Sequence, residues 1–172
     1  MKKGLGFDPH KLMCEKLGIR NLGYCCMMYL IFEIKDSGTK RSLSVFVHHG
    51  FGGGSRTEGG NITSLSRHAN QYDARVFVYG HVHELDVKNL PPRITLRKGR
   101  PMYYVSENRL LILSGTFQKC LTRSYNPSYF ELKGYPVRPL GYAYFDVCLD
   151  VKSVNKKIIR ELRVDGGTRC FA

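Results

Sequence analysis

Two histidines one residue apart, His81 and His83, follow a strand-like apolar run and a glycine. The run, Val76–Tyr79, suits a central strand of a sheet, and α/β sheets bind ligands just past the carboxyl ends of such strands. Gly80 permits a sharp bend there. Two neutral imidazoles on one loop can face a common centre, so the spacing predicts a metal site. For an isolated pair, the alternative is a strand end with solvated or core-capping histidines.

A second strand-like run upstream, residues 43–47, also ends in histidines, His48 and His49. A glycine-rich stretch and a helix-like segment capped by Asn61 separate it from Val76–Tyr79. Strand, loop, helix and strand in this order predict a crossover unit with two parallel neighbouring strands. Both histidine pairs then lie at the same edge of one sheet, and neutral imidazoles there suit Zn, Mn, Fe, Ni or Co.

The glycine-rich stretch starts directly after the first histidine pair. This position favours a substrate-side loop over a flexible surface linker. Gly52 and Gly53 allow the backbone to approach a bulky or charged group, and the guanidinium of Arg56 can bind phosphate. An exposed, solvated arginine is the alternative for Arg56.

The composition describes a basic chain of one-domain size. Among 172 residues, 27 Lys and Arg stand against 14 Asp and Glu, a formal net charge of +13. Such a surface attracts polyanions and raises the expectation of DNA, RNA or another phosphate-bearing substrate, although charge also serves solubility alone. The six cysteines show no C-x-x-C spacing, which favours reduced thiols in a cytoplasmic protein. No signal peptide or membrane span is indicated.

Shorter patterns predict the remaining elements. Asp8 and Gly18 bracket a first helix, and residues 24–34 and 43–47 predict a hairpin. Leu90-Pro91-Pro92 is predicted to break the chain, and beyond it we expect strands at 94–96, 102–105 and 110–113, with a hairpin turn at 106–108. A long irregular region follows from Ser114. A closing hairpin of residues 142–151 and 156–164 and a loose tail from Asp165 complete the prediction.

The histidine motifs resemble those of the calcineurin-like metallophosphoesterases, most closely the phage and prophage type. The family's motif series is D-x-H, G-D, G-N-H-D or G-N-H-E, a strand-end histidine, and G-H-x-H. The chain matches the last two members, in residues 45–50 and in Gly80-His81-Val82-His83, and is similar to the group at 111–117 and 139–141. Asp8-Pro9-His10 matches D-x-H by letters, but the proline suits a helix start.

The resemblance implies an α/β fold, a β-sandwich of two mixed sheets flanked by helices, that hydrolyses phosphoesters with two divalent metals (Mn, Fe, Zn or Ni). It assigns His48 and His81 to one metal and His83 to the other, and leaves His49 as a catalytic residue facing phosphate. Which of His48 and His49 binds stays open, with His48 preferred because the first residue past the strand points back to the ligand edge of the sheet.

The D-x-H, G-D and G-N-H-E motifs are absent, so the resemblance implies the C-terminal part of a single domain over residues 1–172. Residues 1–89 would hold the histidine strands and the crossover helix, and residues 90–172 the C-terminal sheet and tail. A truncated sandwich exposes a strand edge, which predicts poor solubility or association.

Three functional hypotheses remain. The first is a metal-dependent phosphoesterase acting on a phosphomonoester or phosphodiester, with DNA or RNA as candidate substrates, that needs residues from an upstream polypeptide or a longer gene product. The second is a non-catalytic domain that binds metal weakly and nucleic acid through its basic surface. The third is a single-zinc hydrolase that uses His48, His81 and His83.

Overall fold

The computed structural model describes residues 8–35, 37–51, 59–97, 103–122, 125–154 and 157–171. In these ranges the chain forms three helices and seven strands and belongs to the α/β class, as the sequence predicts. In chain order they are α1 (Pro9–Leu17), β1 (Cys25–Ile34), β2 (Thr39–His48), α2 (Gly60–Ala69), β3 (Val76–Tyr79), β4 (Leu85–Arg97), β5 (Tyr103–Ser114), α3 (Tyr129–Lys133), β6 (Gly141–Val154) and β7 (Lys157–Cys170).

Five strands form a mixed sheet in the order β1-β2-β3-β5-β4, while β6 and β7 form a separate antiparallel pair. The predicted crossover is confirmed, because β2 and β3 are parallel neighbours with His48 opposite Tyr79. The predicted hairpin of β1 and β2 is also confirmed. Strand β5 runs parallel to β3, so the carboxyl ends of β2, β3 and β5 meet at one edge. That edge carries both histidine pairs.

Alternate residues of the central strands pack on opposite sides of the five-stranded sheet, as the period of two requires. One side packs on α2 and the other on the β6–β7 hairpin. The helix side buries Phe46, Ile62, Leu65, Ala69, Ala74, Phe77, Tyr79, Leu90, Leu111 and Leu113. The hairpin side buries Leu43, Val45, Val76, Leu110, Ile112 and Val164, with Ala143, Phe145, Val147 and Leu162 packed against them. The molecule is therefore layered as helix, sheet and sheet.

Two predicted breaks in the chain are wrong. Strand β4 continues through Pro91 and Pro92 with an irregularity between Leu90 and Arg93. It lies at the edge of the sheet, where a missing N–H group need not cost a ladder hydrogen bond. The predicted turn at 106–108 is instead part of β5, where Glu107 pairs with Arg93 across the strands and accepts a hydrogen bond from its guanidinium.

The predicted loose tail is also wrong, because β7 extends to Cys170 and pairs with Gly141. Gly166 and Gly167, which suggest a tail in the sequence, are needed here for close packing. A Cβ on Gly166 would lie 2.8 Å from Cγ1 of Val87, and one on Gly167 would lie 2.7 Å from the hydroxyl of Tyr144. Gly166 therefore leaves room for Val87 of the five-stranded sheet, and Gly167 leaves room for the Tyr144 ring of the same hairpin.

The helix ends agree with the sequence at α1 and differ at α2. Asp8 accepts a hydrogen bond from the backbone N–H of His10, and Gly18 ends α1 in the left-handed conformation. The predicted cap Asn61 instead lies within the first turn of α2, after Gly59. Its side chain is used elsewhere, as a donor to Glu84. None of the helices in the described ranges has the length and apolar character needed to cross a membrane.

Candidate functional site

Two loops touch through their backbones where β2 and β3 end. Gly50 has a φ of +100°, and a Cβ added there would collide with the carbonyl oxygen of Gly80 and lie 2.9 Å from Cβ of His81. A Cβ added at Gly80 would lie 2.9 Å from the carbonyl oxygen of His49. Only glycine permits this approach at both positions. The contact brings His49 beside His81.

The closest imidazole pair is formed by His49 and His81. The Nε2 atom of His49 lies 3.2 Å from Nδ1 of His81, and the two ring centroids are 5.1 Å apart. Burial lowers the pKa of His49, and the neighbouring His81 and His10 lower it further, so the neutral ring is favoured. The two rings can share an N–H···N hydrogen bond or bind one cation together.

The spacing of these two nitrogens is suited to a shared metal ion. Imidazole nitrogens bind Zn²⁺ at about 2.0–2.1 Å in tetrahedral geometry, which puts two such nitrogens about 3.3 Å apart. The observed 3.2 Å between the His49 and His81 nitrogens agrees with that value. Within the described ranges, however, no group of three or more His, Cys, Asp or Glu side chains is arranged to hold a metal. The same 3.2 Å also suits an N–H···N hydrogen bond between the rings, so this pair offers two nitrogens to a cation and no more.

His83 lies on the same loop and is held by residues from the C-terminal half of the chain. Its Nδ1 atom is 3.1 Å from the hydroxyl of Thr116, a buried residue, and its ring makes an edge contact with Phe130. Burial lowers the pKa of His83, and the nearby His81 and His49 act in the same direction. A hydroxyl partner on one ring nitrogen fixes the orientation of an imidazole, as is usual for metal ligands.

The loop that carries His81 and His83 has an unusual backbone. The φ angles of the two histidines are +68° and +55°, in the left-handed region that few residues other than glycine adopt. Such conformations cost free energy and occur preferentially at functional sites. A hydrogen bond from the N–H of Val82 to the carbonyl of Gly80 closes the loop.

Glu84 anchors this loop to two other parts of the molecule. Its Oε1 atom accepts a hydrogen bond from Nδ2 of Asn61 and another from Nη2 of Arg138, both at 2.9 Å. Its carbonyl oxygen accepts from the N–H of Gly115. The sequence interpretation did not select Glu84, although its position directly after His83 is a signal that could have identified it.

His48, the preferred ligand in the sequence interpretation, has different neighbours. As the last residue of β2, it points to the helix side, where its ring lies 5.4 Å from that of His68. Its Nδ1 atom accepts a hydrogen bond from the N–H of Gly50 at 2.8 Å. Burial lowers the pKa of His48, with smaller contributions from His68 and His49. The imidazole next to His81 is therefore that of His49, and the role of His48 as a ligand stays a prediction.

His68 and Tyr24 also contact the histidines but were not selected from the sequence. His68 bonds through Nδ1 to the hydroxyl of Tyr79 at 2.8 Å, so its ring belongs to the packing between α2 and β3. Tyr24 packs its ring on both His48 and His49, and its hydroxyl donates to the carbonyl of Gly50. Tyr24 directly precedes β1, and its position at the start of an apolar run did not indicate a contact with the histidines.

The predicted phosphate-binding residues Gly52, Gly53 and Arg56 lie outside the described residues. Comparison of the chain with family models, with curated proteins and with solved structures finds no match.

Proposed function

We propose that this chain contributes to a metal-dependent phosphoesterase centre of the calcineurin-like type. The observation that carries the proposal is the 3.2 Å spacing of the His49 and His81 nitrogens at the carboxyl ends of two parallel strands. The motif order supports it, since a strand-end histidine and G-H-x-H occur in the family's sequence order. The layered arrangement of a mixed sheet and a second sheet agrees with the coarse architecture that the resemblance implies.

In this proposal, His49 and His81 hold one divalent cation, with Mn, Fe, Zn and Ni as the candidate metals. Both rings come from loops fixed by glycine contacts, and the pKa of His49 is lowered, which keeps its ring ready to bind. The pair replaces the preferred pair of His48 and His81, since Nδ1 of His48 already accepts a bond from Gly50. His83 is the third imidazole, and the resemblance assigns it to a second metal.

The remaining metal ligands must be carboxylates or other donor groups in addition to His49, His81 and His83. An upstream polypeptide or segment with the D-x-H, G-D and G-N-H-E motifs would supply them. A bound cation supplies Lewis-acid stabilisation of the charge that develops on a phosphoryl group. The chain's own residues orient the site: Thr116 fixes the His83 ring, and Glu84 holds the loop between α2 and Arg138.

The proposal is tested with the purified chain, added Mn²⁺ and an aromatic phosphodiester such as bis(p-nitrophenyl) phosphate. Because the remaining ligands come from elsewhere, we expect weak turnover at most from the chain alone. Any Mn²⁺-dependent turnover should fall at least tenfold in His81→Gln and His49→Gln, whereas His48→Gln retains most of it. Loss in His48→Gln with full activity in His49→Gln would restore the first ligand assignment. No turnover in the unmodified chain, with metal bound, would contradict catalysis by this chain alone.

A second candidate function is a non-catalytic domain that binds nucleic acid. The observation that favours it is the lack of a carboxylate beside the His49–His81 pair in the described residues, together with the net charge of +13. Metal binding and nucleic-acid binding without hydrolysis would support this candidate over the enzyme.

A further inference from the structure

Four aromatic rings follow one another across one end of the β6–β7 hairpin, and we call Phe117, Phe171, Tyr142 and Tyr144 the aromatic row. Successive ring centroids are 5.9, 5.7 and 6.5 Å apart. Tyr142 and Tyr144 alternate in β6 with core residues Ala143 and Phe145, so they occupy the opposite, outer face of the hairpin. The row therefore lies outside the core.

The rings of this row are accessible to solvent. Phe117 is 72% exposed, Phe171 48% and Tyr144 43%, and Tyr142 between Phe171 and Tyr144 is half-buried. Single exposed apolar residues are common, but a line of adjoining aromatic rings, three of them exposed and one half-buried, is typical of an interaction surface. The rings do not serve the two hydrophobic clusters, since none of the four belongs to either.

The charges around the row indicate an anionic partner. Arg169 is exposed and lies opposite Tyr142 across the hairpin, and Lys119 is exposed two residues after Phe117. The basic surroundings of the row end on one side beyond Tyr144, where Asp146 and Asp165 lie opposite each other and carry negative charge.

We propose that the aromatic row binds single-stranded nucleic acid, with bases stacked on the rings and Arg169 and Lys119 facing phosphates. Proteins that bind single strands combine exposed aromatic rings with basic residues in this way. The ring spacing of 5.7–6.5 Å exceeds the rise of about 3.4 Å between bases of a stacked strand. Bases on successive rings must therefore be spread apart, which a duplex does not allow.

The row also begins near the candidate metal site. Phe117 directly follows Thr116, the residue whose hydroxyl contacts His83. A single strand on the row would thus lead toward the histidines and serve as the substrate. This last step rests on the proposed function, whereas binding to the row does not.

The test is fluorescence anisotropy of a labelled single-stranded oligothymidylate with the full chain, in EDTA so that no metal-dependent step enters the readout. We expect Phe117→Ala and Tyr144→Ala each to weaken binding about tenfold, since stacking contributes about 1–3 kcal/mol per base. Tyr144→Phe should keep most of the affinity. Tyr29→Ala, which removes an aromatic ring 65% exposed on β1, is the matched control and should change little.

Three outcomes would overturn the proposal: equal affinity in the row variants and the control, preference for duplex over single strand, or no nucleic-acid binding. Self-association of the chain that Phe117→Ala abolishes, without nucleic-acid binding, would assign the row to a protein contact instead. This experiment does not measure hydrolysis. Nucleic-acid binding to the row can therefore be shown even if the phosphoesterase proposal fails, and can be refuted even if that proposal holds.

Discussion

At the scale of single residues, the decisive feature is which imidazole faces His81. Strand alternation turns His48 to the helix side, beside His68 and Tyr79, and leaves His49 to the loop. The sequence interpretation chose His48 because it follows the strand directly. The structure shows that His48 is the last residue of β2 itself, so the period of two, rather than closeness to the strand, decides its direction.

Glu84 positions the loop that carries His81 and His83. Its removal should therefore lower both the stability of the protein and its affinity for metal. Its side chain is only 14% exposed and accepts from Arg138 and Asn61, so Glu84→Ala leaves two donors without their partner. We expect a loss of about 2 kcal/mol in the free energy of unfolding and about tenfold in metal affinity. Glu84→Gln, which keeps a carbonyl oxygen, should recover part of both.

Urea denaturation and calorimetric titration with Zn²⁺ measure these two effects of Glu84→Ala separately. A stability loss with unchanged metal affinity would show that Glu84 serves only the packing of the loop. Unchanged stability and unchanged metal affinity would show that the Glu84 carboxylate does not position the loop.

At the scale of elements, the site depends on how two strand ends approach each other. The backbone contact between the loops at Gly50 and Gly80 is closer than any residue with a Cβ allows at Gly50. The parallel pairing of β2 and β3 puts both loops at the same edge, and the glycines then determine their separation. Helix α2 contributes Asn61, which fixes the far end of the second loop through Glu84.

Gly50→Ala tests this contact against a glycine that also has a positive φ. Because its Cβ collides with the Gly80 carbonyl and φ is +100°, we expect a loss of about 3 kcal/mol in unfolding free energy. Gly38 in the β1–β2 turn has a φ of +60°, and a Cβ added there would have no neighbour within 4 Å, so Gly38→Ala should lose only about 1 kcal/mol. Equal losses in urea denaturation would argue against a tight contact between the loops.

Much of this element arrangement was predictable, and the exceptions have physical reasons. Hydrophobic period, the Asp8 and Gly18 caps and the strand-helix-strand order predict α1, the β1–β2 hairpin and the parallel pair. The path of β4 through two prolines depends on its edge position, which only the assembled sheet defines. The contacts of Tyr24, Thr116 and Arg138 with the site join segments that are distant in the sequence. Local sequence patterns therefore do not indicate them.

At the scale of the whole molecule, two features describe how the layers are joined and where they end. The β6–β7 hairpin covers one face of the five-stranded sheet, and Val164 is its most deeply buried contact with that face. Strand β1 is an edge of the sheet, where Tyr29 and Ile31 are 65% and 68% exposed. The association expected of such an edge stays a prediction.

Val164→Ala tests the packing of the two sheets. Val164 is 2% exposed and lies among Leu43, Val45 and Leu110, so we expect a loss of about 2 kcal/mol in unfolding free energy. Val151→Ala removes the same atoms from a residue of the same hairpin that is 58% exposed, and should lose less than about 0.5 kcal/mol. A similar small effect for both in urea denaturation would mean that the hairpin does not cover the sheet.

Metal binding by His49 and His81 together is the claim that calorimetric titration with Zn²⁺ tests most directly. We expect binding by the unmodified chain that His49→Gln and His81→Gln each weaken at least tenfold, because each removes one of two nitrogens 3.2 Å apart. His48→Gln, one residue away, should change the affinity less than twofold. Undiminished Zn²⁺ affinity in both His49→Gln and His81→Gln would contradict the claim.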